Sequence, residues 1–247
     1  MNSGDSALAV IADIHGNPIA LEAVVHDMEA NGVRDVVCLG DVAAMGPQPA
    51  ESLRALRELR CSVVMGNADA FMLDPAATSE DEDMRRIEDI DAWCAAQLSR
   101  EDLDFIRTFE PTVTVDLVGG RTLLCYHGSP RSFDEIIGPT TTDGELDEMM
   151  ADARADIFAG GHTHFQMYRR HRHAIVLNPG SVGMSYHRTL PFDDVGLAPW
   201  AEYAVVDRDS LSITLRRVAY DKQLVADAIE RSGMPHSAWL AAEWRGS

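Results

Sequence analysis

Residues 7–15 read Ala-Leu-Ala-Val-Ile-Ala-Asp-Ile-His, an uninterrupted apolar run that ends at the polar side chains of Asp13 and His15. An apolar run without polar alternation is typical of a strand buried on both faces, and the polar residue after it lies at the strand's carboxyl end. Further short apolar runs end in the same way: 33–39 before Gly40-Asp41, 61–65 before Gly66-Asn67, 122–126 before His127-Gly128, 157–159 before Gly160-Gly161-His162, and 174–177 before Asn178-Pro179-Gly180. The sequence therefore predicts buried strands whose carboxyl ends carry polar chemistry.

The segments between the first strands have the signals of helices. Asn17-Pro18 places a capping side chain before a proline at the first helical position, and apolar residues then repeat at helical spacing as far as Met28. Residues 49–60 repeat this pattern, so the chain opens as β-α-β-α-β with parallel strands. Residues 79–98 and the stretch after Ser99 predict two further helices.

The second half of the chain is more antiparallel. Residues 112–117 alternate polar and apolar, and Gly119-Gly120 leads into the next strand, which predicts a hairpin. We therefore predict an α/β fold with four layers, an α-β-β-α sandwich in which two mixed sheets pack face to face. Residues 1–247 are expected to form a single domain, with residues 221–247 as a C-terminal helical extension.

Charge and cysteine content restrict the classes of function. The chain has 21 basic and 40 acidic residues, a net charge of -19, which disfavours extended binding to nucleic acid or to an anionic membrane. Its four cysteines, Cys38, Cys61, Cys94 and Cys125, lie far apart, which predicts reduced core thiols. The first residues lack a basic signal segment, and no apolar run approaches the ~18 residues of a membrane span. We expect a cytoplasmic protein.

Metal-capable side chains at successive strand ends are the most informative feature. For any one of these residues, capping or turn formation is as good an explanation as function. A series of aspartate, asparagine and histidine at five strand ends is not explained by packing, because these residues are rarely buried without a partner. Open α/β sheets place their sites at this edge. We predict a metal site there.

The order of these blocks resembles that of the calcineurin-like metallophosphoesterases. Their D-x-H, G-D, G-N-H-[DE], H and G-H-x-H blocks correspond to Asp13-Ile14-His15, Gly40-Asp41, Gly66-Asn67-Ala68-Asp69, His127 and Gly161-His162-Thr163-His164. Gly46-Pro47, His127-Gly128-Ser129-Pro130, Asn178-Pro179-Gly180-Ser181-Val182-Gly183 and Tyr220-Asp221 further resemble the small bacterial and archaeal phosphodiesterase branch. The blocks span residues 13–164, and as an ordered set they are specific.

The resemblance implies two divalent metal ions at the carboxyl ends of the strands. Asp13, His15 and His164 would bind the first ion, Asn67, His127 and His162 the second, and Asp41 would bridge them. Oxygen and nitrogen ligands without a thiolate suit Mn, Fe, Ni or Zn, and we expect Mn. Two such ions ~3.5–4 Å apart activate a bridging hydroxide and clamp the phosphoryl oxygens. Asp41, Asn67 and His162 are then the catalytic candidates, and Ser129 and Ser181 are expected to be turn residues rather than nucleophiles.

Ala68 departs from the family pattern. Many relatives have a histidine there that protonates the leaving group, and losing a general acid costs ~10²–10⁴ in rate. Relatives in the small phosphodiesterase branch also lack it. We therefore expect a substrate whose leaving group departs without help, such as an aryl phosphodiester or a nucleoside phosphate in a polyphosphate. The resemblance leaves the role of Asp69 open.

Three further features have two interpretations each. Arg131 could contact a phosphate together with Asn67, or form a surface ion pair. His187 lies in residues 184–200, which would form either a substrate lid or a plain surface loop; we take His187 as a substrate-binding candidate. The basic residues 169–173 are expected first at a solvated hairpin tip and second as a phosphate or partner contact.

We predict an enzyme that hydrolyses a phosphodiester or phosphoanhydride in a small diester, nucleotide or dinucleoside polyphosphate. The expected partner is a small phosphorylated molecule, and the sequence leaves the oligomeric state open. A phosphoprotein phosphatase is an alternative, although serine phosphate is a poor leaving group. A non-catalytic scaffold of the same fold is a second alternative, but a scaffold does not need seven metal-capable residues.

Overall fold

A computed structural model of the chain describes residues 6–75, 79–189 and 194–246. Within these ranges the helices are α1 (Pro18–Ala30), α2 (Pro49–Leu59), α3 (Asn67–Leu73), α4 (Glu82–Ala96), α5 (Arg100–Ile106), α6 (Asp143–Met150), α7 (Lys222–Ser232) and α8 (Ser237–Arg245). The strands are β1 (Ala7–Ile11), β2 (Asp35–Cys38), β3 (Ser62–Val63), β4 (Val113–Leu117), β5 (Arg121–Cys125), β6 (Ile157–Ala159), β7 (Met167–His171), β8 (Ala174–Asn178), β9 (Tyr186–Thr189), β10 (Asp194–Leu197), β11 (Trp200–Asp207) and β12 (Ile213–Ala219).

Two five-stranded mixed sheets form the centre of the fold. The first has the order β12-β11-β1-β2-β3, with β1, β2 and β3 parallel and β11 antiparallel to β1. The second has the order β4-β5-β6-β8-β7, in which β5, β6 and β8 are parallel and the outer pairs are antiparallel. The predicted parallel opening and the hairpin between β4 and β5 are both confirmed.

The apolar side chains of β1 divide between two hydrophobic cores. Ala9 and Ile11 pack with the helices on the outside of the first sheet, whereas Leu8 and Val10 pack with Leu123 and other residues of the second sheet. A third cluster joins the outer face of the second sheet to α6. Burial on both faces explains the unbroken apolar run, and the cores confirm the α-β-β-α layers.

Local sequence signals fix the helix starts. The Asn17 side chain accepts the N–H of Ala20, and Pro18 is the first residue of α1, as predicted. Ser99 and Asp102 form a capping box at the start of α5. Neither α3 nor α6, which are 7 and 8 residues long, was predicted. Two turns are too few to show a repeating apolar pattern, whereas the equally short α5 was predicted from its capping signal.

The basic residues 169–173 do form a hairpin tip, between β7 and β8, but it is not simply solvated. The ring of His171 is buried, with Nδ1 3.2 Å from Asp143 and Nε2 2.9 Å from Asp147 on α6. Arg172 contacts Asp147 at 2.6 Å. The tip therefore holds α6 against the second sheet.

All four cysteines are free, and three of them are buried, while Cys61 is partly exposed. The helices α7 and α8 pack on each other near the C-terminal end of the described chain. The assignment of residues 221–247 to a helical extension remains a prediction. The assignment of the whole chain to a single domain remains a prediction. Among the described residues, no helix is both long and apolar enough to cross a bilayer.

The loop after β8 closes on the end of β1. The N–H of Val182 donates to Ala12 and that of Gly183 to the carbonyl of Asp13, each at 2.9 Å, and Ser181 Oγ donates to the same Asp13 carbonyl at 2.7 Å. A side chain at Gly183 would overlap the carbonyl oxygen of Ile14. Only glycine lets this loop approach the strand so closely.

We expect Gly183→Ala to lower the free energy of unfolding by at least about 3 kcal/mol, because the new Cβ meets fixed backbone on a closely packed strand end. Gly138→Ala is the matched control: its Cβ would meet no atom within 4 Å, and we expect a change within about 1 kcal/mol. Urea unfolding followed by circular dichroism measures both. An unchanged midpoint for Gly183→Ala would contradict this description of the loop.

Candidate dimetal site

The seven predicted ligands meet at the carboxyl ends of the central strands. Their side chains form two groups that could each hold a metal ion: Asp13, His15 and His164, and Asp41, His127 and His162. Asn67 joins the second group, with its Oδ1 3.0 Å from His127 Nε2. Asp41 Oδ2 lies 3.2 Å from His127 Nε2 and 3.9 Å from His15 Nε2, so its carboxylate faces both groups. The structure thus places all seven together, with Asp41 between the groups.

The backbone at this site is held in an uncommon conformation. Asp13, His15, Asp41, His162 and His164 have φ between +48° and +69°, in the left-handed region that residues other than glycine rarely adopt. Each such residue costs about 1–3 kcal/mol, and such strain persists only where surrounding structure imposes it. Its concentration on five candidate ligands indicates that the chain is shaped to bring these side chains together.

Backbone carbonyls fix the tautomers of three imidazoles. The Nδ1 atoms of His15, His127 and His164 face the carbonyls of Ala44, Leu39 and Met184 at 3.3, 2.7 and 2.9 Å. A carbonyl only accepts, so each Nδ1 carries the proton and donates. Each Nε2 then turns toward the centre of the site. Orientation of a ring by its other nitrogen is typical of metal-binding histidines.

The donor atoms fit a pair of cations. Nε2 of His15 and Nε2 of His164 lie 3.0 Å apart, and with both Nδ1 atoms protonated, two lone pairs face each other. In the second group, the oxygens of Asp41 and Asn67 converge on Nε2 of His127. Acceptor atoms at these distances repel one another unless a proton or a cation lies between them.

Burial and neighbouring charges determine the protonation of the candidate ligands. Burial lowers the pKa of His15, His164 and His162, so these imidazoles are neutral at pH 7. Burial alone would raise the pKa of Asp41, but the neighbouring His127 outweighs it and keeps that carboxyl ionised. Asp41 in turn raises the pKa of His127 to about 10 against the opposing effect of burial. Binding of a cation at the second group would therefore require His127 to release a proton.

Asp69, whose role the sequence left open, supports Asp41. Its buried carboxylate accepts the N–H groups of Asp41, Val42 and Gly66 at 2.7, 2.9 and 3.1 Å. It therefore joins the turn after β2 to the start of α3. Sequence reasoning missed this role, although an acidic side chain three residues after a helix cap is the signal of a capping box.

Asn178 has a comparable role on the other side. Its Nδ2 donates to the carbonyl of Gly161 and to Thr163 Oγ1, at 2.6 and 3.1 Å, and its Oδ1 accepts the N–H of Gly180. The loop that carries His162 and His164 is thereby fixed to the end of β8. The Asn-Pro-Gly-Ser stretch was part of the family resemblance, but its function could not be read from spacing.

The two substrate-binding candidates outside the cluster have partners of their own. Arg131 forms the surface ion pair that was one of its two interpretations, with its guanidinium 2.6 Å from Glu135. His187 lies on β9, with its ring 6.1 Å from that of Trp200, and its Nδ1 is buried without a hydrogen-bond partner in the described part of the chain. Within residues 184–200, β9 and β10 form an antiparallel pair, and residues 190–193 fall outside the described ranges. Substrate binding by either residue remains a prediction.

Comparison with known proteins gives the family. Residues 7–193 match the model of the calcineurin-like phosphoesterase superfamily domain. The chain belongs to this superfamily. The matched region includes every candidate ligand, and the family depends on two metals, which agrees with the two candidate ligand groups of this chain.

Similar proteins span nearly the whole calcineurin-like chain. An uncharacterized protein of Methanocaldococcus jannaschii is 26% identical over 252 residues, covering 95% of this chain and 96% of that protein. The crystal structure of a metallophosphoesterase from Sphaerobacter thermophilus has a TM-score of 0.75 and 25% identity, covering 97% of this chain and 98% of the other. A hypothetical protein from Pyrococcus horikoshii OT3 shares the fold, with a TM-score of 0.78, 21% identity and coverage of 93% and 94%.

A buried carboxyl outside the cluster holds the neighbouring loop. Asp91 on α4 is 8% exposed and accepts the N–H of Met45 at 2.8 Å, and the preceding Ala44 carbonyl orients His15. Burial raises the pKa of Asp91 to about 7. In the folded protein this carboxyl therefore keeps its proton at pH values where the unfolded chain, with an ordinary aspartate, has lost it.

This pKa predicts a specific dependence of stability on pH. Because the folded state binds the Asp91 proton more tightly, the contribution of Asp91 to the free energy of unfolding falls as pH rises between about 4 and 7 and then levels off. Asp91→Asn keeps an acceptor for Met45 but has no proton to lose. We expect the stability of Asp91→Asn relative to wild type to increase by on the order of 3 kcal/mol between pH 5 and pH 8. Urea unfolding at each pH tests this, and a constant difference would contradict it.

Proposed function

We propose that this chain is a metal-dependent phosphodiesterase that hydrolyses small phosphodiesters or phosphoanhydrides. The observation that carries the proposal is the pair of ligand groups that share the Asp41 carboxylate. Two divalent cations held there would activate a water near neutral pH and neutralise the phosphoryl oxygens during in-line attack. Membership of the superfamily supports hydrolysis in general, and the finer choice of a diester rests on the residues of this chain.

We assign the residues of the site as follows. Asp13, His15 and His164 hold one ion, Asn67, His127 and His162 hold the other, and Asp41 serves both. Manganese is the expected ion, with iron, nickel or zinc as alternatives, because the donors are imidazoles, carboxylates and an amide.

Three residues are assigned to the reaction itself. Asp41, buried and ionised, holds the two halves of the site in register. Asn67 offers amide N–H groups to a phosphoryl oxygen, and the half-buried His162 lies at the accessible side of the second group. Arg131 contributes to substrate binding only if it leaves Glu135, and His187 is a second substrate-binding candidate.

No serine of the motifs is available as a nucleophile. Ser129 Oγ donates to Glu135 at 2.6 Å, and Ser181 Oγ donates to the Asp13 carbonyl at 2.7 Å. Both hydroxyls stabilise loops, which agrees with direct attack by water rather than with a covalent intermediate.

The leaving group narrows the class of substrate. Ala68 contributes its backbone N–H to Asp41 Oδ1 at 2.9 Å, but it has no side chain that could protonate a leaving oxygen. Substrates with a good leaving group therefore suit the site best. An aryl diester, a nucleotide or a dinucleoside polyphosphate meets this requirement, whereas the phosphoserine of a phosphoprotein does not.

The remaining alternative is a scaffold without turnover. Five strained backbone positions at the candidate ligands argue against it, because a binding surface alone would not need them. Action in the cytoplasm on a small phosphorylated molecule, without a membrane or an extended nucleic acid, remains an expectation from charge and composition.

Hydrolysis of bis(p-nitrophenyl) phosphate beside p-nitrophenyl phosphate tests the proposal. We expect chelator-treated protein to be inactive, Mn²⁺ to restore activity, and the diester to be the better substrate. Asp41→Asn should lower kcat/KM by more than about 100-fold. Removal of a residue that only supports a metal ligand typically costs about 10- to 100-fold, and loss of a ligand should cost more. Asp116→Asn, at an exposed position on β4, is the control and should be unchanged.

The other outcomes are equally informative. A preference for the monoester would favour a phosphatase over a diesterase. No turnover with any metal, although two ions bind per chain, would favour the scaffold.

A further inference from the structure

Two aromatic side chains lie beside the first ligand group. The ring of Tyr186 stacks on that of His164, with centroids 5.2 Å apart and an interplanar angle of 12°. Phe165 follows His164 directly, and its ring lies 5.9 Å from that of Tyr186 at an angle of 38°. Both side chains are half-buried, so each keeps an accessible surface. The pair forms an apolar surface next to a candidate metal ligand, and we name Phe165 and Tyr186 the aromatic platform.

The segment that carries Tyr186 is anchored on its far side. Trp200, which follows β10, has the Arg217 guanidinium 4.6 Å from the centre of its ring, and its Nε1 donates to the buried Glu202 at 2.9 Å. The N–H of Ala198 donates to the carbonyl of Ser185, which precedes β9. The start of β9 and the end of β10 are therefore held in place, which fixes the position of Tyr186 relative to His164.

Two arginine side chains that could attract an anionic substrate already form ion pairs. Arg131 is paired with Glu135, and Arg217 with Glu202 at 3.0 Å. The chain as a whole has a net charge of -19. A substrate that carries an aromatic group beside its phosphate would gain from stacking, which is insensitive to this negative charge and does not depend on the identity of the base.

We infer that the aromatic platform of Phe165 and Tyr186 binds a planar ring of the substrate, a nucleobase or an aryl group, while the phosphate occupies the dimetal site. This inference rests on the proposed function and narrows its substrate class. The two residues determine specificity; they take no part in bond breaking.

Two diesters with the same leaving group test the inference. Thymidine 5′-(p-nitrophenyl phosphate) and methyl p-nitrophenyl phosphate both release p-nitrophenolate, but only the first has a base. We expect wild type to prefer the thymidine ester in kcat/KM. Phe165→Leu and Tyr186→Leu should each lower this preference between about 5-fold and 100-fold, mainly through KM, because each removes one stacking surface.

Three controls separate stacking from a structural role. Tyr186→Phe keeps the ring and should keep the preference. Tyr168→Leu removes a 48% exposed aromatic residue of β7 and should leave kcat/KM for both esters unchanged. Bound manganese per chain should equal that of wild type in every variant. An equal loss on both esters would show that the rings only support His164, and would overturn the inference.

A binding measurement gives a result that does not depend on turnover. Calorimetry with the manganese-loaded protein compares AMP with inorganic phosphate. The platform predicts tighter binding of AMP by wild type and loss of that advantage in the two leucine variants. If neither ester is hydrolysed but AMP keeps this advantage, the proposed function fails and the platform stands. Equal affinity of wild type for AMP and phosphate overturns the platform.

Discussion

Asp41 is a carboxylate that is 3% exposed, and the free energy of burying its charge must be offset by fixed partners. One oxygen accepts the N–H of Ala68, and the other faces Nε2 of His127 at 3.2 Å. Its backbone N–H is held by Asp69, and its φ of 56° lies in the left-handed region. The carboxylate and its backbone are thus both constrained, and the rest of the site is arranged around it.

The fold supplies these constraints through the ends of parallel strands. Because β1 and β2 run parallel, as do β5, β6 and β8, the loops after them all reach the same edge of the sandwich. Each ligand group takes side chains from the loops of both sheets, and the turn at Val182 and Gly183 hydrogen-bonds the loop after β8 to the end of β1. Packing of one sheet on the other therefore decides the distances between the ligands within each group.

Sequence reasoning succeeded where a local signal had a single structural meaning. The apolar runs gave the central strands and the Asn17-Pro18 cap gave α1, while the ordered blocks placed all seven candidate ligands at one edge. It failed where the meaning depends on tertiary contacts. Asp69 was unexplained because its three N–H partners lie on two segments. His171 looked like a surface residue because its partners, Asp143 and Asp147, lie on α6, which was not predicted. Likewise, no sequence pattern signals the stacking of Tyr186 on His164.

We propose that the two ligand groups of this chain hold two divalent cations, with Asp41 between them. Titration of chelator-treated protein with Mn²⁺, followed by calorimetry and by metal analysis, tests this most directly. We expect two ions per chain in wild type, one in His164→Ala, one in His127→Ala, and weaker binding of both in Asp41→Asn, with Asp116→Asn unchanged. If wild type binds no manganese, or if both histidine variants retain two ions, these ligand groups do not hold two cations.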